Sequence, residues 1–171
     1  MRFRWRRRTE PIDIRPARPD DLARLHEIRA AAFAPVFASF RRIVGNAVAE
    51  TAFAGAEEEQ ASHLDDLAGG AHGAEILVAV RGGRAIGFCA VLLGGRRGLG
   101  EIGLNAVDPA HQRRGVATAL FDAALARMRA VGCTCATVST GGDASHAPAR
   151  AAYVKLGFRT AIPALHLYRR L

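Results

Sequence analysis

The chain has 171 residues and a mass of 18.2 kDa; 50% of the residues are hydrophobic and 23% charged, which suits one domain with a packed core. No apolar run reaches the ~18 residues that cross a bilayer. No apolar stretch follows the basic N-terminus as in a secretory signal, and three cysteines do not make a disulfide framework, so a cytoplasmic protein without a membrane partner is expected. The 24 Lys and Arg outweigh 16 Asp and Glu to give +8, yet Arg2, Arg4, Arg6, Arg7 and Arg8 all precede Thr9, and Lys155 is the single lysine. Charge gathered this way reads as a flexible basic tail over residues 1–10 ahead of a domain at 11–171. It is compositional bias more than a phosphate-binding design, and it argues against nucleic acid as the partner.

Taken in chain order, Ile12 to Arg15 alternates as a short strand, and Pro19-Asp20-Asp21 opens a helix carrying Leu22, Leu25, Ile28 and Ala32 at helical spacing. Residues 36–68 are helical in texture but broken by Gly45, Gly55 and the acidic run Glu57 to Glu59, giving one or two short helices with loops. Glu75 to Val80 and Ala85 to Leu93 form a hairpin about Arg81-Gly82-Gly83-Arg84, and Leu99 to Val107 follows as a third strand. A helix from Gly115 to Val131 carries Val116, Leu120, Ala124 and Met128 on one stripe. Cys133 to Ser139 reads as a buried strand, residues 146–156 as a short helix, and Phe158 to Tyr168 as one or two closing strands. The fold class is α+β: a mixed, mostly antiparallel sheet flanked by about four helices.

Two signals fail on context. Gly98-Leu99-Gly100-Glu101-Ile102-Gly103 matches the dinucleotide pattern GxGxxG but leads into a strand, whereas that pattern must open a helix whose N-terminus meets the pyrophosphate. Cys133 and Cys135 lack a ligand-spaced partner and read as buried thiols rather than a metal site.

Asn105 to Ala117 carries more. A strand ends at Val107, and a glycine-containing turn starts a long helix whose first amides have no intrahelical acceptor. Gly115 lets an anion approach the backbone, and Arg113 and Arg114 add charge suited to a diphosphate; an ordinary helix start with a solvated basic turn is the alternative. The run Gln112-Arg113-Arg114-Gly115-Val116-Ala117 resembles the (Arg/Gln)-x-x-Gly-x-(Gly/Ala) signature of the GNAT superfamily of N-acetyltransferases. Ala149, Ala152-Tyr153 and Gly157-Phe158 resemble its second signature, Asn-x-x-Ala-x-x-x-Tyr-x-x-x-Gly-Phe, with His146 in place of Asn and Ala117 in place of the second glycine of the first.

The resemblance implies a GNAT-like acyl-CoA N-acyltransferase fold with its sheet split near the middle. Acetyl-CoA would be the co-substrate, without a metal, and a primary amine of a small molecule or peptide would be the acceptor. It implies a cradle for the diphosphate at Gln112, Arg113, Arg114, Gly115, Val116, Ala117 and Thr118. Asn105, Ala106 and Val107 would pair with the pantetheine, and His146 and Arg150 would be further coenzyme contacts. Tyr153 falls at the family's proton donor for the departing thiolate, although a tyrosine packed beside Ala149 and Leu156 satisfies the sequence equally. Glu101 stands at the general-base offset of the histone-acetylating members; an edge-strand carboxylate is its alternative, and His146 is a second candidate base. Phe33, Phe37 and Phe40 either wall the acceptor cleft or belong to the core, and Glu57, Glu58, Glu59, Asp65 and Asp66 read as a solvated acidic face. Pairing of two copies through the C-terminal strands is a further implication. A non-catalytic acyl-CoA sensor and a nucleic-acid-binding protein anchored by the arginine tail are the competing functions.

Overall fold

The computed structural model describes residues 10–171, so the arginine tail and the reading attached to it lie outside the described residues. Five strands, β1 (Asp13–Pro16), β2 (Ala74–Arg81), β3 (Arg84–Leu92), β4 (Leu99–Val107) and β5 (Cys135–Val138), form one sheet in sequence order. Neighbours pair antiparallel from β1 to β4, and β4 pairs parallel with β5. The helices are α1 (Leu22–Val44), α2 (Asn46–Ala52), α3 (Ala56–Ala68), α4 (Val116–Ala130) and α5 (Ala147–Lys155). None is long and apolar enough to cross a membrane among the described residues.

The central strands are apolar on both faces because each face carries helices. Leu77, Ala79, Ile86, Cys89, Val91 and Ile102 pack with Val116, Leu120, Phe121, Ala124 and Met128 of α4. Ile76, Val78, Val80, Phe88 and Ala90 pack with Leu25 and Ile28 of α1 and with Leu64 and Leu67 of α3. Burial pushes the Cys89 thiol up to about 12, so it behaves as a small apolar side chain.

β4 has one irregularity that shapes everything near it. Cys89 pairs with Asn105 and Val91 with Ile102, so Gly103 and Leu104 together stand opposite Ala90. This bulge reverses the alternation: Ile102 joins the α4 core, while Leu104 and Ala106 join the α1–α3 core. Glu101, paired with Leu92, accordingly lies on the α1–α3 face, and Asn105, paired with Cys89, on the α4 face. β5 follows β4 only from Leu99 to Ile102, and past that point the two strands have no further pairing. The expected split of the sheet lies here.

The glycines of the failed dinucleotide pattern have packing reasons. Gly98 occupies a left-handed turn (φ +77°), a Cβ on Gly100 would stand 2.6 Å from Met128 Cγ, and one on Gly103 would overlap Leu92 Cδ1. They bring α4 and the β3 side chains close to the β4 backbone.

Four expectations are corrected. The first helix runs on through Pro35 to Val44, and the acidic run Glu57 to Glu59 is the first turn of α3, where carboxylates suit the helix dipole, rather than an interruption. Residues 156–171 contain no strand; Pro163 lacks a ladder donor, and Ile162, Leu165, Leu167 and Leu171 stay exposed. Without closing strands β5 is an edge with no buried residue, so Cys133 is only half-buried and Cys135 exposed.

The Gly100–Met128 contact is testable by size. Gly100→Val should destabilise the protein by about 1–3 kcal/mol through overpacking. The urea midpoint reads this loss, and combined with Met128→Ala the two losses should total less than their sum.

Candidate active site

A cavity of about 1020 Å³ passes through the gap between β4 and β5. One end is walled by the start of α4, with Gln112, Arg113, Gly115, Val116, Ala117 and Thr118; the other by Ala31, Phe33, Pro35 and Val36 of α1 and by Gln60 and His63 of α3. Glu101, Gly103, Asn105, Ala106 and Val107 line its middle.

The α4 end is built by a turn pinned at both sides. Asp108 accepts from the Ala110 amide at 2.9 Å and is ion-paired with Arg24 of α1. Gln112 Nε2 donates to the Val107 carbonyl at 3.1 Å, tying the turn to the end of β4. Arg113 (φ 57°) and Gly115 (φ 81°) both take the left-handed conformation, and Gly115 is the N-cap of α4 with open space where a Cβ would stand. The first amides of a 15-residue helix therefore stand at the cavity beside Arg113, an arrangement that attracts an anion.

Tyr153 sits at the junction. It is 5% exposed, between Phe121 at 5.2 Å and Phe158 at 6.0 Å, yet it also lines the cavity. The ring is therefore core, as the packing reading has it, and the same residue reaches the cavity wall. Asn105 Nδ2 donates to its oxygen at 3.2 Å and to the Gly103 carbonyl at 2.8 Å. Burial raises the phenol's pKa, and the Asn105 hydrogen bond opposes the rise without cancelling it.

His146 precedes α5 and also lines the cavity, its ring stacked on Phe40 of α1 at 5.6 Å. Its Nδ1 donates to Asp143 Oδ1 at 2.6 Å. Desolvation would raise the Asp143 carboxyl, but hydrogen bonds from Ser145 and His146 outweigh it and hold that group well below the usual carboxylate range.

Of the residues expected at the site, Glu101, Asn105, Ala106, Val107, Gln112, Arg113, Gly115, Val116, Ala117, Thr118, His146 and Tyr153 line one cavity. Arg114 and Arg150 do not; Arg150 Nη1 donates to the Gly141 and Asp143 carbonyls at 2.5 and 2.7 Å, bracing the loop before α5. Phe33 walls the cavity, Phe37 is buried, and Phe40 backs His146. In the acidic run, Glu57 pairs with Arg41 at 2.7 Å, and Asp65 meets His26 at 2.8 Å. Sequence reasoning missed Gln60, His63 and His72 as lining residues; the three-residue spacing of Gln60 and His63 on α3 is the only signal for two of them. No group of three or more His, Cys, Asp or Glu is placed to hold a metal ion among the described residues.

Comparison with known proteins bears on the family and the fold. Residues 40–158 match the profile of the Acetyltransferase (GNAT) family. Curated protein sequences contain no match to the chain. Among solved structures it is similar to a GNAT family acetyltransferase from Brucella melitensis in complex with acetyl-CoA, at 24% identity, with 88% of this chain and 84% of that one covered and a TM-score of 0.62. It is also similar to an aminoglycoside N-acetyltransferase in complex with CoA, at 17% identity over 96% and 99% of the two chains, with a TM-score of 0.67. A third similar structure is a ribosomal-protein-alanine N-acetyltransferase from Escherichia coli, at 22% identity over 89% and 80%, with a TM-score of 0.63. At these identities the structures show a shared fold, and the profile over most of the domain shows the family: the chain belongs to the GNAT family and is an acyltransferase.

Proposed function

We propose that the protein transfers the acetyl group of acetyl-CoA to a primary amine by direct attack of the amine on the thioester. The observation that carries this reading is the cavity through the sheet. It joins the anion-binding end at α4 to the acceptor end at α1 and α3, with the Tyr153 hydroxyl and the Glu101 side chain along it. The residues present fit coenzyme A: α4's first amides, Gly115 and Arg113 suit the diphosphate. The β4 peptide groups beyond Ile102, unpaired toward β5, suit the pantetheine amides. When bound, acetyl-CoA supplies an activated acyl group.

The chain's own residues do the rest. Backbone amides of β4 in the gap are the donors available to a developing oxyanion, the interaction expected to contribute most. Tyr153, kept protonated by burial, donates to the departing thiolate; Asn105 occupies its oxygen's acceptor site and leaves its proton to be delivered into the cavity. The acceptor enters between Phe33 and Val36 on one wall and Gln60 and His63 on another. Solved structures with this fold carry out acetylation of an aminoglycoside and of a protein alanine, so the acceptor class spans small-molecule and peptide amines.

Three outcomes test the reading. Gly115→Leu should abolish calorimetric binding of acetyl-CoA while the thermal melt stays cooperative, because a side chain at φ +81° both strains the cap and fills the cradle; retained binding would place the coenzyme elsewhere. Tyr153→Phe should lower kcat by about 100-fold with acetyl-CoA affinity unchanged, and equal turnover would remove the donor role. In a Tyr168→Phe background, absorbance titration should show the remaining phenol ionising above about 10. Asn105→Ala should move it higher still, since the bond it removes favours the phenolate.

A further inference from the structure

Resting on the acetyl-transfer reading, we infer that His146 is the base that deprotonates the acceptor amine, with Asp143 and Ser39 as residues that position it. The whole loop before α5 is organised around this imidazole. Asp143 Oδ1 accepts from Nδ1 at 2.6 Å, while Oδ2 accepts from Ser145 Oγ at 2.5 Å, the Ser145 amide at 3.0 Å and Ser39 Oγ at 3.2 Å. Ser39 is a buried polar residue of α1, 4% exposed, and 104 positions away in sequence. Gly141 lies so close that a Cβ there would stand 2.6 Å from His146 Nδ1, and Arg150 clamps the carbonyls of Gly141 and Asp143. Phe40 stacks on the ring at an interplanar angle of 18°.

A capping role does not require this arrangement. Asp143 already caps its turn through the Ser145 amide, and the imidazole adds nothing to that bond. What the arrangement does fix is the tautomer. With the Nδ1 proton held by a carboxylate, Nε2 carries the lone pair, and it has no hydrogen-bond partner among the described residues of a side chain that lines the cavity. Glu101, the other candidate, also lines the cavity but has no side-chain hydrogen bond to orient it among the described residues.

The chemistry balances as follows. Nε2 takes one proton from the acceptor ammonium, leaving a neutral amine. The nitrogen–carbon bond forms and the carbon–sulfur bond breaks. The Tyr153 hydroxyl protonates the thiolate, and the proton leaving the acylated nitrogen returns Tyr153 to the phenol through water. Groups that bear on His146 titration are Asp143 and Arg150 beside it, and Glu101, His63, His72 and Arg113 along the cavity; α1 presents the uncharged Ser39 and Phe40.

The test uses the full chain with acetyl-CoA and three amines (kanamycin, spermidine and an alanyl peptide), reading thiol release against pH. Wild-type kcat/KM should rise with pH through one acidic limb as the imidazole loses its proton. His146→Gln should lose that limb and about 100-fold in kcat with acetyl-CoA binding retained. Asp143→Asn should lower kcat with acetyl-CoA binding retained and loosen the Nδ1 tautomer, because an amide holds the Nδ1 proton less strongly than a carboxylate. Wild-type turnover with the limb intact in His146→Gln, or a limb lost only in Glu101→Gln, would overturn the role of His146 alone. No wild-type turnover of any of the three amines would overturn the acetyl-transfer reading beneath it. Imidazole nitrogen NMR of the wild-type protein needs no folded variant: a proton on Nδ1 of His146 supports the dyad, and one on Nε2 overturns it.

Discussion

β4 cannot remain paired on both sides along its length, and the site depends on that constraint. Two residues, Gly103 and Leu104, face the single Ala90 across the ladder, so the strand bends and twists where β5 leaves it. The bend does two things at once. It exposes a run of backbone donors and acceptors that β5 no longer satisfies, and it turns Glu101 and Asn105 to opposite faces of the sheet. A regular strand would put both side chains on one face. The cavity would then end at the sheet instead of passing through it.

The helix that follows β4 is held by the same region. Arg24 reaches from α1 to Asp108 and also donates to the Ala85 carbonyl at 3.2 Å, so the turn before α4 is fixed to the opposite layer. Arg113 accepts a left-handed backbone there, a local cost of about 1 kcal/mol that the pinned turn sustains. Strain at this position aims the first amides of α4 and the Arg113 side chain into one cavity.

The length of α1 matters for a separate reason. Its first half supplies Leu25 and Ile28 to the core, and its second half carries Ser39 and Phe40 to the loop before α5. Had the helix ended near Pro35, Asp143 would lose a donor and the His146 ring its stacking partner. The α1 wall of the cavity and the loop before α5 are thus one mechanical unit.

The sequence by itself determined the strand and helix order from Ile12 to Lys155, the hairpin, the turn and helix start over Gln112 to Thr118 and the candidacy of Tyr153, because periodicity and a helix-start motif are local properties. It also placed the glycines of residues 98–103 outside nucleotide binding, although their packing partners Met128 and Leu92 became visible only in three dimensions. Tertiary structure decided the rest. The closing strands expected over Phe158 to Tyr168 did not form, since alternation alone cannot supply a partner edge or a donor at Pro163. The bulge that sends Glu101 and Asn105 to opposite faces depends on register against β3, which no single strand encodes. Gln60 and His63 reach the cavity only because α3 folds beside α1, and Ser39 meets Asp143 across 104 residues because long-range packing, rather than spacing, brings them together.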